Sequence, residues 1–555
     1  REEIRRRLVP IMLSNTSSFP SLRDNSIYLA VSFSSAQKGG ELRYSLIEVP
    51  PDLPRFFLFP KKGTEQHILL LEDIIRHHLS HIYSIFDPVA ITAHTVKLTR
   101  DAELDIEDDL DASYMEQIHE SLKRRRWGNP VRFVYDELLP ANYLEFILRG
   151  LKIDPKSETL TPGSRYHNFK DFIDFPACGK KHLDEKREEP LVHPHLGSAK
   201  SLIRAVVEQD VLLHFPYHSF HHFIDLLREA AIDAQVQSIK LTVYRVAKHS
   251  NIMNALINAA ANGKQVTVIL ELQARFDEKA NIEWADRLKE AGVRVIFGIP
   301  GLKVHAKLCL ITRRSGSKDE HFAMVGTGNF NENTAKIYTD HMLMTRDLRI
   351  SAEVALLFEY FEKNYIMLKF RHLIVSPFFT RKRLSRLIER EVRNAKLGRE
   401  AWIDLKINNL ADEAIIDKLY NASSAGVRQR LIVRGMLSLI PGLPGRSENI
   451  EAIRIIDRYL EHSRVVIFAN AGQPEVYIAS CDWMTRNCDA RVEVMCPIFD
   501  ESLRKELRDY FELQWKDHAK ARMADMLNSP RKSGDESQKS LRCQVALYKA
   551  LKKGG

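Results

Sequence analysis

Apolar and polar positions change rhythm near residue 200 of this chain. Beyond that point short β-rich runs alternate with amphipathic helical stretches. Lys240 to Arg245 reads as a strand, and Asn251 to Gly263 as a helix with Gly263 as its C-terminal cap. Gln265 to Leu272 is a continuous β-branched and leucine run, as a strand buried on both faces requires. Lys279 to Ala291 is predicted as a second helix, closed by Gly292. Val293 to Ile299 and Lys307 to Ile311 are predicted as further strands. The pattern then recurs. Trp402 to Ile407 reads as a strand, Ala411 to Ala425 as a helix capped by Gly426, and Arg430 to Arg434 as a strand. Ile450 to Leu460 reads as a helix and Arg464 to Phe468 as a strand. Such alternation predicts two α/β units of βαβ type.

Residues 1–190 mix strands and helices without a repeat. Tyr28 to Phe33 and Arg55 to Phe59 read as strands, and His67 to Phe86 is apolar at helical spacing. Asp105 to Asp111 is an acidic, solvated loop. The basic run Lys123 to Trp127 reads either as a solvated helix end or as a phosphate-tracking surface. At the other end, residues 527–540 are polar and linker-like, and Gln544 to Lys553 is a short basic helix. The fold class expected is therefore α/β. An α+β head domain spans 1–190, two α/β domains span 191–372 and 373–526, and the linker and terminal helix span 527–555.

Composition narrows this picture only modestly. The chain has 555 residues, 44% hydrophobic and 28% charged, as ordinary globular domains do. Its net charge of +9 favours a polyanionic partner, whether nucleic acid, a phosphate polymer or an anionic membrane. Six cysteines, none spaced Cys-x-x-Cys, argue against a disulfide framework or a zinc site and for a reducing cytosol. No stretch reaches the roughly 18 continuous apolar residues of a membrane helix. The charged start, with no initiator Met and no signal-peptide pattern, predicts a chain that begins inside a larger protein.

The candidate chemistry lies in the repeat. In the first unit Arg275 ends a strand, His305 follows thirty residues later, and Lys307 lies two beyond it. In the second, Arg434 ends the corresponding strand, His462 follows twenty-eight residues later, and Arg464 lies two beyond it. Each half then has a turn of small polar residues, Gly326 to Asn331 and Ala479 to Trp483. Asn329 precedes Asp340 by eleven residues, and Asp482 precedes Glu493 by the same eleven. On a strand, residues i and i+2 share a face, so each histidine is expected beside its cation. A neutral imidazole attacks phosphorus, a neighbouring cation neutralises the phosphoryl oxygens, and an acid behind the ring fixes its tautomer. That orienting acid is Glu493 or Asp340. Arg245, Arg275, Arg434, Lys307 and Arg464 supply the positive charge phosphoryl transfer needs.

Other candidates carry less. His214, His218, His221 and His222 read either as a metal site or as a strand end followed by a helix capped by Ser219. Gly326-x-Gly is too short for a nucleotide fingerprint, and no P-loop occurs. Tyr338 reads as a base-stacking or phosphate-contacting residue, or as strand packing.

The paired His-x-basic halves resemble the phospholipase-D-like superfamily. Longer segments resemble one family within it, the histidine-phosphorylated polyphosphate kinases. They are Leu-Thr-Val-Tyr-Arg-Val-Ala-Lys (241–248), Glu-Leu-Gln-Ala-Arg-Phe-Asp-Glu (271–278), Pro-Gly-Leu-Lys-Val-His-Ala-Lys (300–307), Gly-Thr-Gly-Asn-Phe-Asn-Glu (326–332), Arg-Gly-Met (434–436), Tyr-Leu-Glu-His (459–462) and Asp-Trp-Met-Thr-Arg-Asn (482–487). The resemblance implies that both α/β domains are phospholipase-D-like catalytic domains. It implies reversible transfer of the terminal phosphate of ATP to polyphosphate, with His305 as phosphohistidine and His462 against nucleotide phosphate. It makes Tyr338 and Arg434 ATP contacts, and Arg245 and Arg275 holders of phosphates that carry Mg2+. It further implies a cytoplasmic homo-oligomer, dimer or tetramer, with peripheral association at the inner membrane face left open and no nucleic-acid partner. The family's helical N-terminal domain, which contributes an adenine-side contact, is expected to be missing. Two rivals remain at this point. A phospholipase-D-like phosphodiesterase or nuclease would use the same histidines, although the second half has His-x-Arg and Thr312 stands where an Asp is usual. A non-catalytic polyanion-binding module would show salt-sensitive binding only.

Overall fold

The computed structural model describes residues 2–14, 18–35, 42–100, 130–178, 183, 185, 188–247, 249–271, 278–299, 301–364, 368–525, 527–531 and 540–553. The expectations for Asp105 to Asp111, Lys123 to Trp127, Arg275 and residues 532–539 lie outside the described residues. The chain forms two compact units, Arg1–Lys186 and Arg187–Gly555.

The first unit is built on a six-stranded sheet. Its strands are β1 (Pro10–Leu13), β2 (Ile27–Ser35), β3 (Leu42–Glu48), β6 (Pro88–Arg100), β7 (Pro130–Asp136) and β8 (Leu160–Gly163), in the order β1-β3-β2-β6-β7-β8. A separate hairpin pairs β4 (Phe56–Leu58) with β5 (Ile68–Leu70). That hairpin interrupts the helix expected over His67 to Phe86. The first residues pair as β5, and the rest form short helices, Leu71–His77 and Leu79–Ile82, broken at His78. Helical spacing over so short an apolar run does not distinguish the two states, and the partner strand decides.

The second unit holds two larger sheets. The first contains β9 (Val211–Phe215), β10 (Val236–Val243), β11 (Gln265–Leu270), β12 (Arg294–Phe297), β14 (Lys307–Ser315), β15 (Lys318–Gly326) and β16 (Tyr338–Thr345). Its path runs β12-β11-β10-β14-β15-β16, with β9 also paired to β16. β10, β11 and β12 are parallel and joined by helices Asn251–Ala261 and Glu278–Glu290, as the alternation predicted. Gly263, Gly292 and Gly426 close their helices at φ of +77°, +81° and +88°, where a side chain would be strained.

The second sheet contains β17 (Ile374–Ser376), β18 (Trp402–Ile407), β19 (Arg428–Val433), β20 (Ile450–Ile455), β22 (Arg464–Phe468), β23 (Glu475–Ala479), β24 (Arg491–Pro497) and β25 (Ala521–Met523). Here the expectation of a helix over Ile450 to Leu460 fails. Ile450–Ile455 is a strand, parallel to β19 and antiparallel to β25. Isoleucines at 450, 453 and 455 favour a pleated surface, and a helix would have left the edge of β19 away from β18 unpaired.

Two very short strands complete the sheets, and each lies on the other half's sheet. β13 (Lys303–Val304), from the first half, pairs with β24 at the edge of the second sheet. β21 (Leu460–Glu461), from the second half, pairs with β16 at the edge of the first. One buried core joins the two sheets, drawing Ile269, Leu308 and Leu343 from one and Ile432, Val465 and Val494 from the other. Among the described residues no helix is long and apolar enough to cross a membrane.

Candidate active site

The exchanged strands place the two histidines. His305 follows β13, just where the chain leaves the second sheet for the first. His462 follows β21, where it leaves the first sheet for the second. Neither histidine lies within a strand; each sits in the two-residue gap between two strands, so the i, i+2 projection expected of a continuous strand does not apply. The neighbouring cation reaches back across that gap: Lys307 Nζ donates to the carbonyl of His305, and Arg464 donates to the carbonyl of His462 at 2.9 Å. Each histidine remains beside its cation, by a different geometry.

The orienting acids are crossed. His305 Nδ1 lies 2.9 Å from Glu493 Oε2, on the second half. His462 Nδ1 lies 2.9 Å from both carboxylate oxygens of Asp340, on the first half. The side chains of His305 and His462 are only 14% and 15% exposed. Both acids are themselves held. Glu493 Oε2 accepts from Ser480 Oγ at 2.6 Å and Oε1 from Asn487 Nδ2 at 2.7 Å. Asp340 Oδ1 accepts from Thr327 Oγ1 at 2.6 Å. Gly328 permits this approach, since a Cβ there would sit 2.0 Å from Asp340 Oδ2.

Burial depresses the pKa of both imidazoles, against the opposing pull of the paired carboxylates, and keeps the rings neutral. For Glu493 and Asp340 burial acts to raise the pKa, but the facing histidines and the donors around them prevail and keep both acids ionised. A neutral ring that donates from Nδ1 carries its free lone pair on Nε2. No described residue hydrogen-bonds His305 Nε2. Lys307 is buried as well, and burial, opposed chiefly by Glu493, pulls its pKa down to about 7.

Around this core stand further cations. Arg464 is buried and donates to Asp482 Oδ1 at 3.1 Å. Arg434 donates to Asn408 Oδ1 at 2.7 Å, and Asn408 donates to the carbonyl of His462 at 3.2 Å. Tyr338 lies against His462, with ring centroids 5.1 Å apart. Arg245 flanks Tyr244, whose ring meets His305 edge to face at 4.9 Å. The structure thus brings His305, His462, Lys307, Arg464, Asp340, Glu493, Tyr338, Arg434 and Arg245 into one region; Arg275 is outside the described residues.

Sequence reasoning missed Tyr244, Asn408, Ser480, Asn487 and Thr327. Tyr244 directly precedes Arg245, which was its available signal. The others hold charged groups within their own half; Thr327 and Ser480 lie in the two turns of small polar residues, and their position there was the available signal. Arg491 was missed too; its charge acts on both His305 and Lys307. The histidines at 214, 218 and 222 are engaged in hydrogen bonds. His214 reaches His341 at 2.9 Å and Glu506 at 2.6 Å, His218 accepts from the His214 amide, and His222 accepts from the His193 amide. Ser219 accepts from the His221 amide at 3.2 Å, but the helix begins at His221 with Phe220 in the capping position and no side-chain cap.

Among the described residues no three His, Cys, Asp or Glu side chains converge as a metal site requires. The acids nearest the histidines are already engaged, and a guanidinium has no lone pair to offer an ion. The described residues do not make a direct magnesium site.

The whole chain has matches among known proteins. The family model described as the polyphosphate kinase middle domain matches residues 1–175. Those for the polyphosphate kinase C-terminal domains 1 and 2 match residues 201–367 and 373–544. A polyphosphate kinase of Vibrio vulnificus strain YJ016 is 47% identical over 556 residues, covering 99% of this chain and 79% of the relative. One from Escherichia coli strain K12 is 45% identical over 559 residues, covering 100% of this chain and 81% of the relative. The crystal structure of a polyphosphate kinase from Porphyromonas gingivalis superposes with a TM-score of 0.84 at 36% identity, covering 100% of this chain and 82% of that one.

Proposed function

The chain belongs to the polyphosphate kinase family, and from that premise we propose that phosphate passes between ATP and polyphosphate through His305. The observation that carries this reading is the pair His305–Glu493. A buried carboxylate holds Nδ1 at 2.9 Å and leaves the lone pair of a neutral ring on Nε2. Nε2 attacks the γ-phosphorus of ATP; a P–N bond forms as the bond to the β,γ-bridging oxygen breaks, and ADP leaves. The terminal oxygen of a polyphosphate chain then attacks the same phosphorus. The P–N bond breaks, and the chain is one phosphate longer. The same groups run both steps in reverse.

Glu493 stabilises the positive charge the ring acquires when phosphorylated. Lys307 and Arg464 neutralise the phosphoryl oxygens, with Arg434, Arg245 and Arg275 along the nucleotide and polymer phosphates. His462, held by Asp340, serves as acid/base or phosphate anchor, and Tyr338 and Arg434 contact ATP. Magnesium enters bound to the nucleotide phosphates, as part of the substrate, and supplies charge neutralisation there. In this reading residues 1–190 are the head domain. Residues 191–372 and 373–526 are the catalytic domains, and 527–555 are the linker and terminal helix. A cytoplasmic homo-oligomer belongs to the same reading.

The test is incubation with magnesium and γ-labelled ATP, followed by separation of protein from polymer. Acid-labile, base-stable label on the protein is expected, lost together with polymer synthesis in His305→Ala. Polymer synthesis or the same label surviving in that variant sinks the reading.

A further inference from the structure

One residue before His462 lies a carboxylate that no substrate reaches. The Glu461 side chain is 1% exposed, and it accepts four hydrogen bonds. Oε2 receives Thr339 Oγ1 at 2.9 Å, Lys406 Nζ at 2.6 Å and Gln514 Nε2 at 2.7 Å, while Oε1 receives Gln544 Nε2 at 2.8 Å. The donors come from four elements: β16, β18, the helix Glu501–Trp515 and the helix Cys543–Lys553.

Three of these donors also fix neighbours of the histidine. Thr339 precedes Asp340, and its carbonyl and hydroxyl oxygens both accept from the His462 amide at 3.2 Å. Lys406 donates a second bond to Ser463 Oγ at 2.7 Å, on the far side of His462. Gln544 brackets the backbone of Tyr459, accepting from its amide at 3.0 Å and donating to its carbonyl at 2.9 Å. The chain is therefore pinned at 459, 461, 462 and 463.

Stability alone is a poor reason for this arrangement. Desolvating a carboxylate and an ammonium costs about what their attraction returns, and an apolar pair of like volume serves as well. A carboxylate that accepts four hydrogen bonds from four separate elements has instead little freedom to turn. We propose that Glu461, with Lys406 and Gln544, is a positioning device that holds His462 within hydrogen-bond reach of Asp340. Gln544, on the C-terminal helix Cys543–Lys553, is then part of the support of the active site, although it touches no reacting atom. The catalytic consequence rests on the reading of His462 given above; the positioning itself does not.

The test compares Gln544→Ala with Leu547→Ala in the full chain. Leu547, on the same helix, packs against Tyr217, Tyr459 and Tyr510 and does not hydrogen-bond Glu461, so it controls for lost stability. With 15N-labelled histidine, the Nδ1–H protons facing Glu493 and Asp340 give two low-field signals, assigned through His305→Gln and His462→Gln. Gln544→Ala should displace or broaden the His462 signal, spare that of His305, and lower kcat about 10- to 100-fold with a smaller change in KM. Leu547→Ala should lower Tm at least as much while leaving both signals and kcat in place. An unmoved His462 signal in Gln544→Ala overturns the proposal, as does an equal loss of kcat in Leu547→Ala. A displaced signal with unchanged turnover upholds the positioning and removes His462 from the chemistry.

Discussion

His305 and Glu493 are separated by 188 positions and belong to different halves of the repeat, yet their side chains meet at 2.9 Å inside the protein. The counterpart contact, His462 with Asp340, runs in the opposite direction between the same halves. The two acids should therefore have separable effects. Glu493→Gln keeps a hydrogen-bond acceptor but removes the charge that, in the proposed role, stabilises a phosphorylated ring. It should slow labelling of the protein by γ-labelled ATP by about 100-fold or more. Asp340→Asn should act instead on the His462 ring. Rapid-quench measurement of phosphoprotein formation distinguishes them, and an Asp340→Asn defect in labelling equal to that of Glu493→Gln would contradict the crossed assignment.

The close contact at Gly328 gives a second expectation. A methyl group there would overlap the carboxylate of Asp340, which is clamped by Thr327 and His462 and has little room to retreat. Gly328→Ala should displace Asp340 from Nδ1 of His462. Turnover should fall at least about tenfold, with a destabilisation of about 1–3 kcal/mol read by denaturant unfolding. Wild-type turnover in this variant would show that Asp340 is free to move.

Lys307 should make the site sensitive to pH near neutrality. Burial lowers its pKa from 10.5 to about 7, so the folded chain binds fewer protons here than the unfolded chain between those values. The stability cost of burying this group is therefore greatest at low pH and shrinks as pH rises through that window. Binding an anion favours the charged form and takes up a proton. Affinity for ATP should consequently weaken above about pH 7, by up to about tenfold per pH unit from this group. Calorimetry in two buffers of different ionisation enthalpy should detect the proton uptake. In Lys307→Arg the dependence should flatten, because guanidinium stays charged.

Removing magnesium should separate substrate from scaffold. With no direct site among the described residues, chelation should abolish labelling from ATP and leave Tm within about 1 °C of its original value, since only an ion bound by the folded chain alone would contribute to its stability. A large fall in Tm on chelation would reveal a resident ion.

Much of the site was legible because its signals are local. His305 with Lys307, and His462 with Arg464, are neighbours in sequence, and their repetition at matched spacing marks both. The pairing of the acids was not legible. Asp340 and Glu493 stand at equivalent places in equivalent halves, so spacing gives each histidine two equal candidates. Only the exchange of β13 and β21 decides between them, and strands of two residues leave no periodicity to read. The same limit explains Ile450–Ile455, whose apolar positions suit a helix until β19 and β25 claim them as a strand.

The exchange of β13 and β21 also sets an order of events during synthesis. The first half emerges from the ribosome with His305 but without Glu493, and with Asp340 but without its histidine. A nascent chain that ends before Glu493 thus holds His305 and Asp340 but neither of the His–acid pairs in full unless His462 has already emerged. The pairing of His305 with its acid can be completed only after β24 arrives to receive β13.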